Sequence, residues 1–279
     1  GCLYVSIYGN GVFRYRHDGT LDKHFSTQNG KLTHNVVFDF MEKDSIIWMG
    51  TDGGGINLLD LRTDKVECIK HISGNSHSLP NNSIFCLYKD TKNNIWGGSM
   101  HSGLFFITEN QIKTYQDTPP NFPYGLSELT VTALYEDIDT LLWIGTDGGG
   151  LNAYNQHTGL FQHLSTTNGK KVVSITEFSP EKLLISCFND GLYIFDKRTA
   201  KLTSFLLIDN HTTRKEFTQG DLINLYATSD EIYIFGSNIY VYNRHTQHTK
   251  QLPIPSHLDR ESFIHAQPIH ADNQYIYIL

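Results

Sequence analysis

The stretch LLWIGTDGGGLNAYN, residues 141–155, has a near-twin in IIWMGTDGGGINLLD, residues 46–60. Each copy reads as a short apolar strand, a glycine turn and a second strand in which polar and apolar residues alternate. The glycines at 148–150 can take positive φ angles that other residues resist, and Asp147 can hydrogen-bond the backbone of the turn. Because the copies are 95 residues apart, the pair predicts an internal repeat and not an isolated hairpin.

The strand that carries the tryptophan of this repeat recurs along the whole chain. Trp48, Trp96 and Trp143 are 48 and 47 residues apart, and Leu184 takes the place of the tryptophan 41 residues later. This period matches the length of one four-stranded propeller blade. We name this strand B, and its predicted copies cover residues 3–8, 46–51, 94–99, 141–146, 182–187, 231–236 and 274–279.

Three further strands complete each period. An alternating strand A precedes strand B, a strand C follows the glycine turn, and a shorter, more polar strand D closes the unit. The sequence therefore predicts a single all-β propeller over residues 1–279, built of four-stranded antiparallel blades. Seven B strands and six A strands favour seven blades, incomplete at both chain ends; six blades with a spare strand is the alternative. Since a cut ring would expose long strand edges, we expect the chain to be a piece of a longer protein.

Composition and charge exclude several classes of function. The net charge of −7 and the absence of a basic cluster argue against a nucleic-acid partner. No apolar run reaches the roughly 18–20 residues of a membrane-spanning helix. The four cysteines form no CxxC pair, and Cys86 and Cys187 lie in apolar strands, so we expect buried free thiols there.

Candidate binding residues follow from the direction of the strands. Strands alternate in direction, so the B–C turns and the D–A connections between blades share one end of the sheets, which we name the turn face. Long loops on a rigid scaffold are frequent binding sites, and polar or aromatic residues there can bind a sugar. The candidates on this face are Asp52, His77, Asn82, His101, Tyr124, Asp147, Asn189 and Asp190. The alternative is that Asp52 and Asp147 only brace their own turns and that His77 and Tyr124 are ordinary surface residues.

Other chemical signals are weak. The tryptophans, flanked by Ile or Leu, are expected to pack in the core between blades and not to serve as sugar platforms. The fourteen histidines are scattered, HExxH is absent, and Asp-Gly-Gly-Gly lacks the alternating oxygen ligands of a calcium loop. No GxSxG motif is present, and a strand instead of a helix follows each GGG turn. We therefore expect no metal, no cofactor and no catalytic residue.

Two longer segments carry a family resemblance. Residues 74–107 combine SLPNN, LYKD, NNIW and a glycine turn, and residues 132–164 repeat the pattern as closely. They resemble the two-component regulator propeller repeat, which is found in the periplasmic sensor region of hybrid two-component systems of gut Bacteroidetes. The resemblance weakens towards the C-terminus, where Leu184 and Tyr233 replace the tryptophan and Ser186 replaces the glycine of IGT.

The resemblance implies a larger receptor. Such sensors are similar to tandem seven-bladed propellers followed by a β-sandwich, a membrane helix and cytoplasmic kinase and regulator modules, and their ligands are oligosaccharides. On this basis we expect a non-enzymatic, periplasmic sensor domain of an inner-membrane receptor. Its expected partners are an oligosaccharide, other domains of the same chain and a second subunit in a homodimer. The alternatives are a protein-interaction propeller for dimerisation or domain docking and, third, a polysaccharide lyase or hydrolase.

Overall fold

The computed structural model describes residues 2–108, 111–116, 125–208, 214–215, 223–236, 238–253, 268–271 and 276–278. In these residues the secondary structure is β throughout, apart from one 3-10 turn at Ser165–Thr167. The chain forms two compact units, which are residues 1–144 with 152–163 and residues 145–151 with 164–279. Each unit is described separately below.

The first unit contains a three-stranded sheet and two four-stranded sheets. Their strands are β1 (Cys2–Ile7), β2 (Gly11–Arg16), β3 (Leu21–Phe25), β4 (Val37–Lys43), β5 (Ile46–Thr51), β6 (Ile56–Asp60), β7 (Val66–Ile69), β8 (Ile84–Lys89), β9 (Ile95–Ser99), β10 (Leu104–Ile107) and β11 (Ile112–Tyr115). A further four-stranded sheet belongs to this unit except for residues 145–151. Its strands are β12 (Val131–Glu136), β13 (Leu141–Thr146), β14 (Gly150–Asn155) and β15 (Leu160–His163).

The second unit contains two four-stranded sheets and two strand pairs. Its strands are β16 (Val172–Ser179), β17 (Lys182–Cys187), β18 (Gly191–Asp196), β19 (Lys201–Ser204), β20 (Leu207–Ile208), β21 (Arg214–Lys215), β22 (Asn224–Ala227), β23 (Glu231–Phe235), β24 (Ile239–Asn243), β25 (Thr249–Leu252), β26 (Pro268–Ala271) and β27 (Ile276–Ile278). The pair β20–β21 lies in the connection between two sheets and was not predicted.

Consecutive strands are neighbours in every sheet, and the paired strands run antiparallel. The fold is an all-β propeller of four-stranded antiparallel blades. Strands β1, β5, β9, β13, β17, β23 and β27 lie where strand B was predicted. Among the described residues, six sheets have three or four strands, and the pair β26–β27 follows them. The expected number of seven blades and the single-domain organisation stay predictions.

Glycine is required at the last position of the B–C turn, directly before strand C. Gly55 and Gly103 have φ of +78° and +80°. A Cβ atom there would lie 2.2 Å from the Ile69 carbonyl oxygen and 2.1 Å from that of Tyr115, so no other residue fits without displacing the backbone. In the GGG turn at 148–150 the positive φ angles fall on the first and third glycines, at +101° and +76°.

Hydrophobic clusters between blades form the cores of both units. In the first unit one cluster contains Trp96, Leu142 and Tyr154, and in the second another contains Leu184, Ile232 and Tyr242. Trp96 and Trp143 are 2% and 3% exposed, which confirms that they are core residues. All four cysteines are free; Cys86 and Cys187 are buried as predicted, whereas Cys2 and Cys68 are exposed.

Candidate functional site

The sequence-predicted site residues are divided between the two units. Asp52, His77, Asn82 and His101 lie in the turns and connections of the first unit, and Asp147, Asn189 and Asp190 lie in those of the second. Tyr124 lies outside the described residues. The structure therefore provides two local groups, one in each unit, and each is described alone.

In the first unit, Asp52 and Asn82 join one blade to the next. A carboxylate oxygen of Asp52 accepts a hydrogen bond of 2.9 Å from the Ser83 hydroxyl. The Asn82 carbonyl oxygen accepts bonds from the backbone N–H groups of Gly53 (3.1 Å) and Gly55 (2.8 Å). The Asn82 side-chain oxygen accepts a further bond of 2.8 Å from the His71 backbone N–H. These groups brace the turns, which is the alternative that the sequence left open for Asp52.

The two histidines of this group differ in their surroundings. His77 is exposed, and its backbone N–H donates to the Asn75 side-chain oxygen at 2.9 Å. His101 is also exposed, with φ of +56°, and its ring Nδ1 lies 3.0 Å from the Thr130 hydroxyl oxygen. Both imidazole rings face solvent at the turn face, where a ligand can reach them.

In the second unit, two consecutive lysines pair with two predicted aspartates. Lys171 Nζ lies 2.9 Å from Asp147 Oδ1, and Lys170 Nζ lies 2.5 Å from Asp190 Oδ2. Lys170 also lies 4.1 Å from the centre of the Tyr193 ring, and the Tyr193 hydroxyl donates to Asp190 Oδ1 at 2.9 Å. The ammonium group thus rests on an aromatic face beside a carboxylate, an arrangement that stabilises its charge.

The titration of this cluster follows from those contacts. Burial raises the pKa of Asp190, but the hydrogen bonds from Lys170 and Tyr193 outweigh it and lower the pKa overall. Burial lowers the pKa of Lys170, and the Asp190 and Tyr193 contacts reverse this and raise it. Both groups are therefore charged near neutral pH and neutralise each other.

Around this ion-pair cluster the surface is partly apolar. Phe188, in the turn between β17 and β18, is 37% exposed. Asn189 follows it with φ of +58°, in the left-handed region. The cluster therefore combines an aromatic side chain with paired charges, but its two carboxylates already have strong partners.

A recurring aspartate that sequence reasoning missed holds the buried tryptophans. Trp96 Nε1 donates to Asp90 Oδ2 at 3.0 Å, and Trp143 Nε1 donates to Asp137 Oδ2 at 2.8 Å. Both aspartates are buried in the turn between strands A and B. The signal was available, since an aspartate stands six residues before each of these tryptophans. These hydrogen bonds fix the two indole rings within the core.

A second missed group lies where strand A begins, at the turn-face end of the first unit. The rings of Phe38 and Phe85 are 4.7 Å apart between centroids and are both half-buried. Asp39, next to Phe38, accepts hydrogen bonds from the backbone N–H groups of Leu87 (2.7 Å) and Phe40 (2.8 Å). Burial raises the pKa of Asp39 to about 7, although both hydrogen bonds lower it. A perturbed carboxyl group beside half-exposed rings is typical of a functional site.

Metal-ligating side chains do not cluster in the part of the chain that the structure describes. These residues contain no group of three or more His, Cys, Asp or Glu side chains that could hold a metal ion. Within the same residues, no helix has the length and apolar character needed to span a membrane.

Comparison with known proteins finds a family profile that matches two segments of the chain. The sequence profile described as "Two component regulator propeller" matches residues 78–101 and 125–148. "Histidine kinase P4" of Formosa agariphila is 31% identical to this chain over 166 residues, which is 57% of this chain and 12% of the kinase. The chain thus spans only about an eighth of the length of this curated relative.

Solved structures share the fold at low sequence identity. The extracellular domain of a candidate hybrid two-component system from B. thetaiotaomicron matches with a TM-score of 0.58 and 17% identity, over 80% of this chain and 35% of that chain. A catalytically inactive virginiamycin B lyase from Staphylococcus aureus matches with a TM-score of 0.61 and 12% identity, over 89% and 79% of the two chains. At these identities the structural likeness establishes the fold alone. The profile matches show that two repeats of this chain, at residues 78–101 and 125–148, are similar to the two-component regulator propeller repeat.

Proposed function

We propose that this chain is a ligand-sensing propeller of a hybrid two-component system. In this role it binds or positions an oligosaccharide outside the cytoplasm and passes the signal to a transmembrane histidine kinase. The observation that carries the proposal is the pair of family repeats, together with 31% identity to a histidine kinase over 166 residues. The proposed location is the periplasm, within a receptor anchored in the inner membrane, and the proposed role is non-enzymatic.

The turn face supports ligand binding in its chemistry. In the first unit the turns present exposed imidazole rings at His77 and His101, and in the second unit, taken by itself, a turn presents the partly exposed aromatic side chain of Phe188. Such groups, combined with backbone and side-chain hydrogen-bond partners, suit the mixed polar and apolar surface of a sugar. The other partners that we propose are further domains of the same chain and a second subunit in a homodimer.

The test is calorimetry on the purified full-length protein with a panel of cello-, xylo-, manno- and galacto-oligosaccharides. We expect saturable binding of at least one class and an increase in thermal stability with ligand concentration, because a ligand that binds only the folded state stabilises it. A folded protein that binds none of the panel would contradict the proposal.

A second candidate function is a protein-interaction propeller. It is favoured by exposed apolar side chains in the turns and connections of the first unit, where Tyr8 is 73% exposed and Ile72 is 57% exposed. Analytical ultracentrifugation of the full-length protein and of a Tyr8→Ser, Ile72→Ser variant separates the two functions. Loss of a dimer in the variant, with no glycan binding by either protein, would favour the interaction role.

A further inference from the structure

Two neighbouring A strands of the first unit, β4 and β8, each contain a β-bulge. In β4 the register with β5 shifts between Val37 and Asp39, and in β8 the register with β9 shifts between Ile84 and Cys86. The extra residues are Phe38 and Phe85. A bulge re-aims the side chains at its position, and bulges are frequent beside binding sites. Here they bring two aromatic rings together, tilted by 35°, at the turn-face end of the strands.

The bulge also directs Asp39 towards the neighbouring blade. In a regular strand, successive side chains point to opposite faces. Phe38 and Asp39 are consecutive, yet the first contacts Phe85 and the second accepts a hydrogen bond from Leu87, both on β8. The pair of aromatic rings and the partly buried carboxyl group of Asp39 therefore lie together between β4 and β8.

Equivalent positions in other blades show that a carboxyl group is not needed to join them. At the second bulge, the Cys86 thiol donates to the Val131 carbonyl oxygen at 3.8 Å. In the second unit, the Ser174 hydroxyl oxygen accepts a hydrogen bond of 3.1 Å from the Leu225 backbone N–H. An uncharged side chain thus links neighbouring A strands at these positions. The carboxyl group of Asp39 carries a desolvation cost that the link itself does not require.

We propose that the rings of Phe38 and Phe85 and the carboxylate of Asp39 form a subsite for one sugar ring of an oligosaccharide. The inference rests on the proposed function and names the residues that would recognise the ligand. A pyranose has an apolar C–H face, which suits the aromatic rings, and hydroxyl groups at its edge, which suit an acceptor. A carboxylate has about four lone-pair sites, so Asp39 can accept a sugar hydroxyl in addition to its two backbone N–H groups.

The experiment compares three matched variants of the full-length protein, namely Phe38→Leu, Phe85→Leu and the control Phe40→Leu. Leucine keeps apolar bulk but removes the flat ring, and Phe40 is a partly buried phenylalanine on the same strand. With the oligosaccharide that the wild-type protein binds best, we expect about tenfold weaker binding for the first two variants and unchanged binding for the control.

The outcomes separate the subsite from the proposed function. Equal affinity in all four proteins, or equal weakening in all three variants, would overturn the subsite while leaving the sensor function in place. Absence of binding by the wild-type protein to every oligosaccharide of the panel would overturn both.

A pH profile tests the part assigned to Asp39. A hydrogen bond donated by a sugar hydroxyl favours the ionised form of the Asp39 carboxyl group. The affinity of the wild-type protein should therefore rise as pH increases through the Asp39 pKa of about 7. Of the described titratable groups, Cys86 on β8 is the one whose pKa is raised by Asp39, and its burial keeps it a neutral thiol in this range. In Asp39→Asn the pH dependence should disappear. A flat wild-type profile would remove Asp39 from the subsite.

Discussion

The hydrogen bond between Asp90 and Trp96 should make a measurable contribution to stability. The Asp90 carboxylate accepts bonds from Trp96 Nε1 (3.0 Å), from the Asn94 backbone (2.7 Å) and side chain (2.9 Å), and from the Lys92 backbone (3.0 Å). Asp90→Ala removes all four. The indole N–H, on a side chain that is 2% exposed, would then be unsatisfied at a cost of about 1–3 kcal/mol. The three donors of the turn can bond to water instead, so the loss of their hydrogen bonds costs only about 1 kcal/mol more. The free energy of unfolding should therefore fall by about 2–4 kcal/mol in total.

A double-mutant cycle isolates the indole contribution. Asp90→Ala, Trp96→Phe and the double variant are unfolded in urea and followed by far-UV circular dichroism, which does not depend on tryptophan fluorescence. We expect a coupling energy of about 1–2 kcal/mol, because phenylalanine has no N–H group that the loss of the Asp90 carboxylate could leave unsatisfied.

The chain provides its own control for this cycle. Trp48 Nε1 is buried and has no hydrogen-bond partner among the described residues, and Glu42 stands six residues before it in place of the aspartate. The cycle of Glu42→Ala with Trp48→Phe should therefore give a coupling energy near zero. Equal coupling in the two cycles, or coupling below about 0.3 kcal/mol between Asp90 and Trp96, would refute the reasoning.

Three further predictions concern a carboxyl group, a turn and an ion pair. Burial raises the pKa of Asp39 in the folded state to about 7, so its contribution to stability is full below the ordinary pKa of 3.8 and is lost as pH rises to about 7. The urea midpoint of the wild-type protein should therefore fall across this pH range, and Asp39→Asn should remove that part of the fall. Gly55→Ala should lower the free energy of unfolding by more than about 2 kcal/mol, because the new Cβ would overlap a carbonyl oxygen. Gly53, with φ of +86°, has open space around it, so Gly53→Ala should cost only about 1 kcal/mol; thermal melting of the two variants checks both values. Lys170→Met should raise the pKa of Asp190 towards its ordinary value, as followed by carboxyl NMR titration; an unchanged pKa would show that the ion pair does not hold it down.

Much of the fold is encoded locally and could be predicted. The strand around Trp143 combines bulky apolar residues with a following glycine turn, and both signals act within about ten residues of each other. At Gly55 and Gly103 the turn has room only for glycine. A glycine at this position of the repeat therefore predicts the B–C hairpin in each blade where it occurs. Where the tryptophan and the glycine are lost, as at Leu184, the run of apolar residues at 183–185 still places the strand.

The candidate site was harder to predict because it depends on contacts between blades. Asp52 reads as a turn residue in sequence, but its partner Ser83 is 31 residues away. Phe38 and Asp39 read as two members of an alternating strand, since a bulge leaves no mark in the residue pattern. The register shift between β4 and β5, together with the contacts to Phe85 and Leu87, shows that both side chains approach the same neighbouring strand.

The partners of the turn-face residues affect where a ligand can be recognised. A sugar hydroxyl that approached Asp190 would compete with an ammonium group at 2.5 Å and a phenol at 2.9 Å, and one that approached Asp147 would compete with Lys171 at 2.9 Å. Replacing a charge-assisted hydrogen bond with a neutral one gains little affinity, because charge-assisted bonds are roughly twice as strong. The bulge residues Phe38, Asp39 and Phe85 face no such competition, since the rings contact each other and the carboxylate is held by backbone N–H groups alone. Glycan recognition should therefore depend more on the A strands β4 and β8 than on the acidic turns that the sequence analysis identified.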